Sequence, residues 1–534
     1  MEFKNKRILV LCKETYSYPF YFLAQKWMKG GNEVAAFFFN PCESMYAECT
    51  LNDTTYYAFL KLEGLKMFTS NKIAEEFVAQ QHATEILDKD TLAKIEKEYA
   101  HYQNVNRQVL SAQFLTRHYH YRNYMQPCTY AQQMNWLVLN YKNVWSIMEE
   151  YKPDVVLDFD NAELARCVMR EVCYHEGIPY IAEDHPRYEL YRIITYDLGH
   201  HVGELFKRTY REKVVLSKEQ MQTEYNYVED FRRKHDIMHA QFKNDVTAQY
   251  KPESIWRAIK SVIGMALYFY RQDKAGYNRK LKRKMPLLYP SSYQYIKFYA
   301  KYYGKKQILM RKNKYFHAPV EGEKYVYMPL HMIPESSTFV LSPYYINELS
   351  IIEAVSKSLP AGWWLYVKEH QAMVGERGVE FYKKANKLPN VKMVQMNYYN
   401  DPKPWITKAQ GVVTISGTTA YEAALLGKRS VVFADVPFSL IDGITRLRSF
   451  EDLPEALARF VEPINNVHSC AAYIATVKEM GMPINLKLLV NYGQNIIRGT
   501  GEMTAEYQKA LDNLEKLYLM GYENFEKERK LADA

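Results

Sequence analysis

Residues 411–445, GVVTISGTTAYEAALLGKRSVVFADVPFSLIDGIT, limit the possible folds more than any other stretch. Residues 412–415 form a short apolar run of strand type. Ser416-Gly417-Thr418-Thr419 interrupts it, and 420–426 reads as a helix of good helix formers closed by Gly427. A second β-branched run follows at 430–433. This is the strand–turn–helix–strand unit of an open α/β sheet. Its turn has anion chemistry. A helix start presents unpaired N–H groups and the positive end of a dipole, and Gly417 has no Cβ to keep an anion away from the backbone. Ser416, Thr418 and Thr419 add hydroxyl donors, which makes a phosphate seat at the carboxyl end of a strand. The same residues also fit a plain helix cap, with Thr419-x-x-Glu422 as a capping box and Glu422 as a structural residue.

A chain of 534 residues holds at least two domains. Residues 1–40 read as β-α-β: a strand at 7–11, a helical pattern at 20–29 closed by Gly30-Gly31, and a strand at 34–39. No GxGxxG is present, so a dinucleotide is not indicated. Residues 41–150 read as a helical, tyrosine-rich insertion, where His118 and His120 lie two apart and cannot share a helix face. Strand and helix return at 151–192. One strand ends in Asp158-Phe159-Asp160 and the next in Glu183-Asp184-His185-Pro186-Arg187. Carboxylates at two successive strand ends face one cleft in such a sheet. They also suit helix capping or pairing with Arg187 and Arg192. A second Rossmann-like run starts at 323, with strands at 325–328, 364–367, 391–396, 412–415 and 430–434. This gives a domain plan of 1–250, a connector at 251–320, a second domain at 321–500, and a final helix at 501–534 that crosses back to the first domain.

The order of four motifs in the second half carries a family resemblance. They are PLHMIPE at 329–335, KEHQ at 368–371, LPNV at 388–391 and SGTTAYEAALLGK at 416–428. Together they resemble bacterial capsule and surface-polysaccharide glycosyltransferases, the group that includes the capsule β-Kdo transferases. The resemblance covers about residues 320–446, with one departure: Gln371 stands where the family has proline. It implies a GT-B fold, two Rossmann-like domains facing a cleft, working without a metal or other cofactor. It implies a donor site of Lys368, His370, Ser416, Gly417, Thr418, Thr419 and Glu422, with His331 and Glu335 lining the cleft. Glu422 would bind the ribose or base. The catalytic carboxylate would be Asp184 or Glu183, with Asp160 in reserve. The donor would be a CMP- or UDP-sugar, and the acceptor a capsular or surface glycan or its lipid-linked precursor. Two other functions fit the same elements: a non-hydrolysing nucleotide-sugar epimerase, and a non-catalytic polysaccharide-binding assembly protein.

Charge sets the connector apart. The whole chain carries +9, yet 251–320 holds 17 Lys and Arg against Glu253 and Asp273. Residues 254–270, SIWRAIKSVIGMALYFY, read as an amphipathic helix. The basic runs KLKRKMPLLYP (with Lys280, Lys282, Arg283 and Lys284) and KFYAKYYGKK follow. The segment suits an anionic inner leaflet, a groove for an anionic acceptor, or a solvated linker helix. No nucleic-acid-binding module accompanies it. Seven scattered cysteines without a CxxC suit a reducing compartment. The first 14 residues have too short an apolar core for a signal peptide, and no stretch reaches a membrane span. The expected location is the cytoplasm, at the inner membrane surface.

Overall fold

The computed structural model describes residues 2–13, 16–39, 54–101, 104–111, 128–159, 163–196, 201–238, 252, 254–274, 292–312 and 314–532. His118, His120, Asp160 and the Lys280–Lys284 cluster lie outside them.

Two sheets organise the chain. The first holds β1 (Arg7–Cys12), β2 (Glu33–Phe38), β3 (Lys66–Thr69), β4 (Val155–Asp158), β5 (Tyr180–Asp184), β6 (Tyr191–Thr195) and β13 (Gly481–Pro483), in the order β3-β2-β1-β4-β5-β6-β13. The second holds β7 (Tyr325–Pro329), β8 (Trp364–Lys368), β9 (Val391–Met393), β10 (Gly411–Thr414), β11 (Ser430–Val432) and β12 (Ile444–Arg446), in the order β9-β8-β7-β10-β11-β12. All pairs in the second sheet are parallel, and the order is the doubly wound Rossmann order. Its strands are apolar on both faces because helices cover both sides. Ile8, Leu9 and Val10 of β1 are fully buried for the same reason in the first sheet, as are Val412 and Val413 in the second.

The first sheet ends differently. β6 runs antiparallel to β5, and β13 antiparallel to β6. β3 lies within 41–150, a span that reads as helical, because it is short and only partly buried. The chain re-enters this sheet at Gly481, ahead of residue 501. The helices Leu486–Ile497 and Ala505–Ala532 then pack on the first lobe's core with Phe20, Leu23 and Trp27. In the last helix Tyr507, Leu511, Leu514 and Tyr518 repeat at helical spacing and are buried. Its Glu515 accepts from Trp27 Nε1 at 3.0 Å, and Tyr518 donates to the Asp158 carbonyl at 2.8 Å.

The lobes share apolar packing. Phe206, Tyr210, Val228 and Phe231 from helices Glu204–Val214 and Gln222–Arg233 sit in one cluster with Tyr421, Leu425, Cys470 and Tyr473. Arg232 ties the contact by donating to the Leu425 carbonyl at 2.7 Å and to Asn466 Oδ1 at 3.1 Å. Two Rossmann-like lobes thus face one cleft, the GT-B arrangement.

Candidate active site

A cleft of about 1200 Å³ opens between the lobes. On the second-lobe side it lies at the switch point between β7 and β10, where the carboxyl ends of neighbouring strands diverge. Lys368, His370, Thr418, Thr419, Tyr421 and Glu422 line that wall. Thr418 and Thr419 are the first residues of the helix Thr418–Leu425, whose N-cap is Gly417. No side chain caps this helix, so the Thr419–Glu422 capping box, the alternative reading of this turn, does not form. Glu422 instead faces the cleft, where burial and then Asp401 push its carboxyl up to about 7.

A buried network holds the turn from behind. His331 Nε2 accepts from the Ser416 amide at 3.3 Å, and the Gly417 amide donates to Thr414 Oγ1 at 3.2 Å. A Cβ on Gly417 would lie 2.5 Å from Thr414 Oγ1, so the close approach requires glycine. His331 N donates to Glu348 at 2.6 Å, and Arg377 Nη2 donates to the His331 carbonyl at 3.0 Å. Arg377 is fully buried between two carboxylates, 2.6 Å from Glu348 and 2.9 Å from Glu369. Burial alone would raise Glu348, but Arg377 and His331 hold its net value below the ordinary range. Glu369 also accepts from Tyr382 at 2.5 Å and from the His370 amide at 2.7 Å. The chain from Arg377 to the turn is continuous.

This network reassigns several expected site residues. His331, Ser416 and Gly417 stand behind the wall and do not line the cleft. Two amides of the expected anion seat, those of Ser416 and Gly417, are spent on His331 and Thr414. The amides of Thr418 and Thr419 remain, with no partner among the described residues. Glu335 is exposed at the start of a short helix, accepts from Ser337 at 2.8 Å, and does not line the cleft. His370 does line it, but as a neutral ring: burial, then His331 and Arg377, push it down to about 4. Its Nδ1 accepts from the Ala372 amide, which leaves Nε2 as the protonated nitrogen. Burial lowers Lys368 to about 8, so it is still mainly cationic at neutral pH.

The first-lobe wall comes from the turn after β5. His185, Arg187, Glu189 and Arg192 line it, with Lys234 near the next helix end. Glu183 and Asp184 do not. Arg192 holds Glu183 at 3.2 Å. Asp184 accepts from the His185 amide at 2.8 Å and pairs with His201 at 3.0 Å, and His201's own amide donates to Asp435 of the second lobe at 3.1 Å. Against the cost of burial, His201 and Arg187 keep Asp184 well below the carboxylate range. Asp158 is likewise structural, paired with Arg166 at 2.9 Å and hydrogen-bonded by Tyr180 at 2.6 Å. Arg187 and Glu189 both have positive φ, 71° and 45°, a strained conformation for these residues and one that clusters at functional turns. Arg187 Nε and Arg192 Nε are buried with no hydrogen-bond partner among the described residues. The one available sequence signal for this wall was the run of charges after Asp184.

Fold and site together define a two-lobed α/β protein whose interlobe cleft has a helix N-terminus and Lys368 on one wall and Arg187 and Arg192 on the other. No described protein family matches the chain, and no curated protein does. Solved structures similar to it include Thermosulfurimonas dismutans KpsC, beta Kdo 2,7 transferase: 9% identity, 65% of this chain, 83% of that one, TM-score 0.29. The beta Kdo 2,4 transferase of the same KpsC follows at 16% identity, 64% and 87% coverage, TM-score 0.28. A Methanocaldococcus jannaschii UDP-GlcNAc 2-epimerase in complex with UDP-GlcNAc and UDP is 12% identical over 89% of this chain and 99% of that one, TM-score 0.26. At such values the chemistry has to come from this chain's own residues. Among the described residues no group of three or more His, Cys, Asp or Glu is placed to hold a metal.

Proposed function

We propose that the protein is a glycosyltransferase that moves a sugar from a nucleotide sugar to a surface glycan or its lipid-linked precursor, at the cytoplasmic face of a membrane. The observation carrying this is the pairing across one cleft. A helix N-terminus and Lys368 stand on one wall, and Arg187 and Arg192, each with a buried Nε that has no hydrogen-bond partner among the described residues, on the other. A nucleotide's phosphates need donors from more than one side, and charge developing on the leaving phosphate needs preset cations.

In this reading the Thr418 and Thr419 amides and Lys368 seat the phosphate. Glu422, one helical turn further along the same face, accepts from the ribose hydroxyls. Arg187 closes over the leaving group from the other lobe. The acceptor hydroxyl gives its proton to a first-lobe carboxylate that faces the cleft; Glu189 and Asp236 both line it, and Glu189, two residues from Arg187 on the turn after β5, takes this role. Glu183 and Asp184, nominated by the family resemblance, then serve the fold.

Titration with a panel of CMP-, UDP- and GDP-sugars, followed by calorimetry and product analysis, tests the function. One donor should bind and be consumed only with acceptor present. Change of the donor's sugar without any acceptor would make the protein an epimerase instead. Binding of no nucleotide sugar would remove the proposal. For the base, Glu189→Gln should abolish transfer and spare donor binding. If Asp184→Asn does so while Glu189→Gln stays active, the assignment passes to Asp184.

A further inference from the structure

Two helices of the basic connector are described, Ile255–Lys274 and Ser292–Lys312, and they pack against each other. The second is anchored on the second lobe. Leu309 is buried in that lobe's core, and a Cβ on Gly375 would lie 2.8 Å from the Tyr302 carbonyl oxygen and 3.0 Å from Lys306 Cβ. The first helix turns Ala258 inward, with Val262 and Met265 half-buried on the same side. The adjoining face is exposed. Ile255, Trp256, Ile259, Ile263, Leu267 and Tyr270 are 44–79% exposed. At 100° per residue these six fall within an arc of about 120°. Arg257, Lys260 and Arg271, all exposed, run along one edge of that arc.

Sequestering so long an apolar stripe is favourable, and the charge on its flank selects what covers it. The two helices carry ten Lys and Arg against a single acid, Asp273. A second copy of the same face would set like charges together, whereas a bilayer with anionic headgroups matches both features. We infer that this helix lies in the surface of an anionic membrane, with Trp256, Ile259 and Ile263 among the acyl chains and Arg257, Lys260 and Arg271 at the phosphates. No described helix is long and apolar enough to cross a membrane, so the contact is in the plane. The inference takes the identity of the membrane from the reading above, but the contact itself does not depend on it. It would bring the cleft to a lipid-linked acceptor.

The test is co-sedimentation of the full chain with phosphatidylcholine vesicles, with and without phosphatidylglycerol. The wild type should bind only the anionic vesicles and should release as salt rises. Trp256→Ser/Ile259→Ser/Ile263→Ser should weaken binding at least about tenfold, and Arg257→Glu/Lys260→Glu/Arg271→Glu about a hundredfold. Nucleotide-sugar affinity should be unchanged in both. A wild type that binds the anionic vesicles but no nucleotide sugar would defeat the enzymatic reading alone. A wild type that ignores anionic vesicles, variants that bind them equally well, or a stripe variant that turns a dimer into a monomer would each overturn the inference.

Discussion

On the second-lobe wall, Lys368, His370 and Glu422 project from a strand end and a helix whose supports are buried and bonded to one another. Arg377, Glu348, Glu369 and His331 leave that wall little freedom. On the first-lobe wall, Arg187 and Glu189 project from a short turn with unfavourable backbone angles, and the guanidinium groups of Arg187 and Arg192 keep spare donors. In the proposed reading, the rigid second-lobe wall suits the ligand part that is the same in every turnover, the nucleotide. The first-lobe wall, with its spare guanidinium donors, suits a group that must be gripped as charge develops and then released. Rigid support and retained hydrogen-bond capacity are different investments, and each wall makes one of them.

Substitutions should separate the two walls. Arg377→Met strands two buried carboxylates and should cost about 3–5 kcal/mol in urea unfolding. Arg187→Met, at the half-buried cleft edge, should cost under about 1 kcal/mol yet weaken UDP binding at least tenfold. Equal destabilisation by the two would erase the contrast. Gly417→Ala forces Thr414 or the turn to shift. About 1–3 kcal/mol of stability should go with it, together with nucleotide affinity. A variant as stable as the parent would mean that the turn is not braced as described.

Lys368→Gln should weaken UDP binding about tenfold at pH 7, the value of one charge-assisted hydrogen bond. In the wild type, affinity should fall as pH rises through about 8, where Lys368 loses its proton, and the variant should not follow. The smallest effect concerns Glu422. Its folded pKa lies above the unfolded value, so its protonated form stabilises the fold, and that contribution is lost as pH rises from about 4.5 through about 7. Glu422→Gln should match the wild type in melting temperature at pH 4 and exceed it by about 1–2 °C at pH 8. A difference that does not change with pH would show that Glu422 is not buried as the structure has it.

The strand–turn–helix unit at 411–433 was legible from residue type alone. Its β-branched runs, breaker glycines and short helix formers are local preferences, and they agree with the fold. So were both Rossmann-like runs; glycine at 417 was legible too, but as room for an anion, whereas in the structure it makes room for Thr414 Oγ1. Tertiary structure decided which charges face the cleft. Glu183 and Asp184 end a strand as the resemblance requires, but their oxygens are claimed by Arg192, on the neighbouring strand, and by His201, whose amide is fixed by Asp435 some 230 residues away in sequence. His331 likewise turned from the cleft to an amide 85 residues downstream. The late return of β13 to the first sheet is of the same kind, since a three-residue strand has too little local preference to announce its partner. Sequence fixes what a segment can become through interactions within a few residues. The direction of a polar side chain depends on donors and acceptors that only the folded chain brings together.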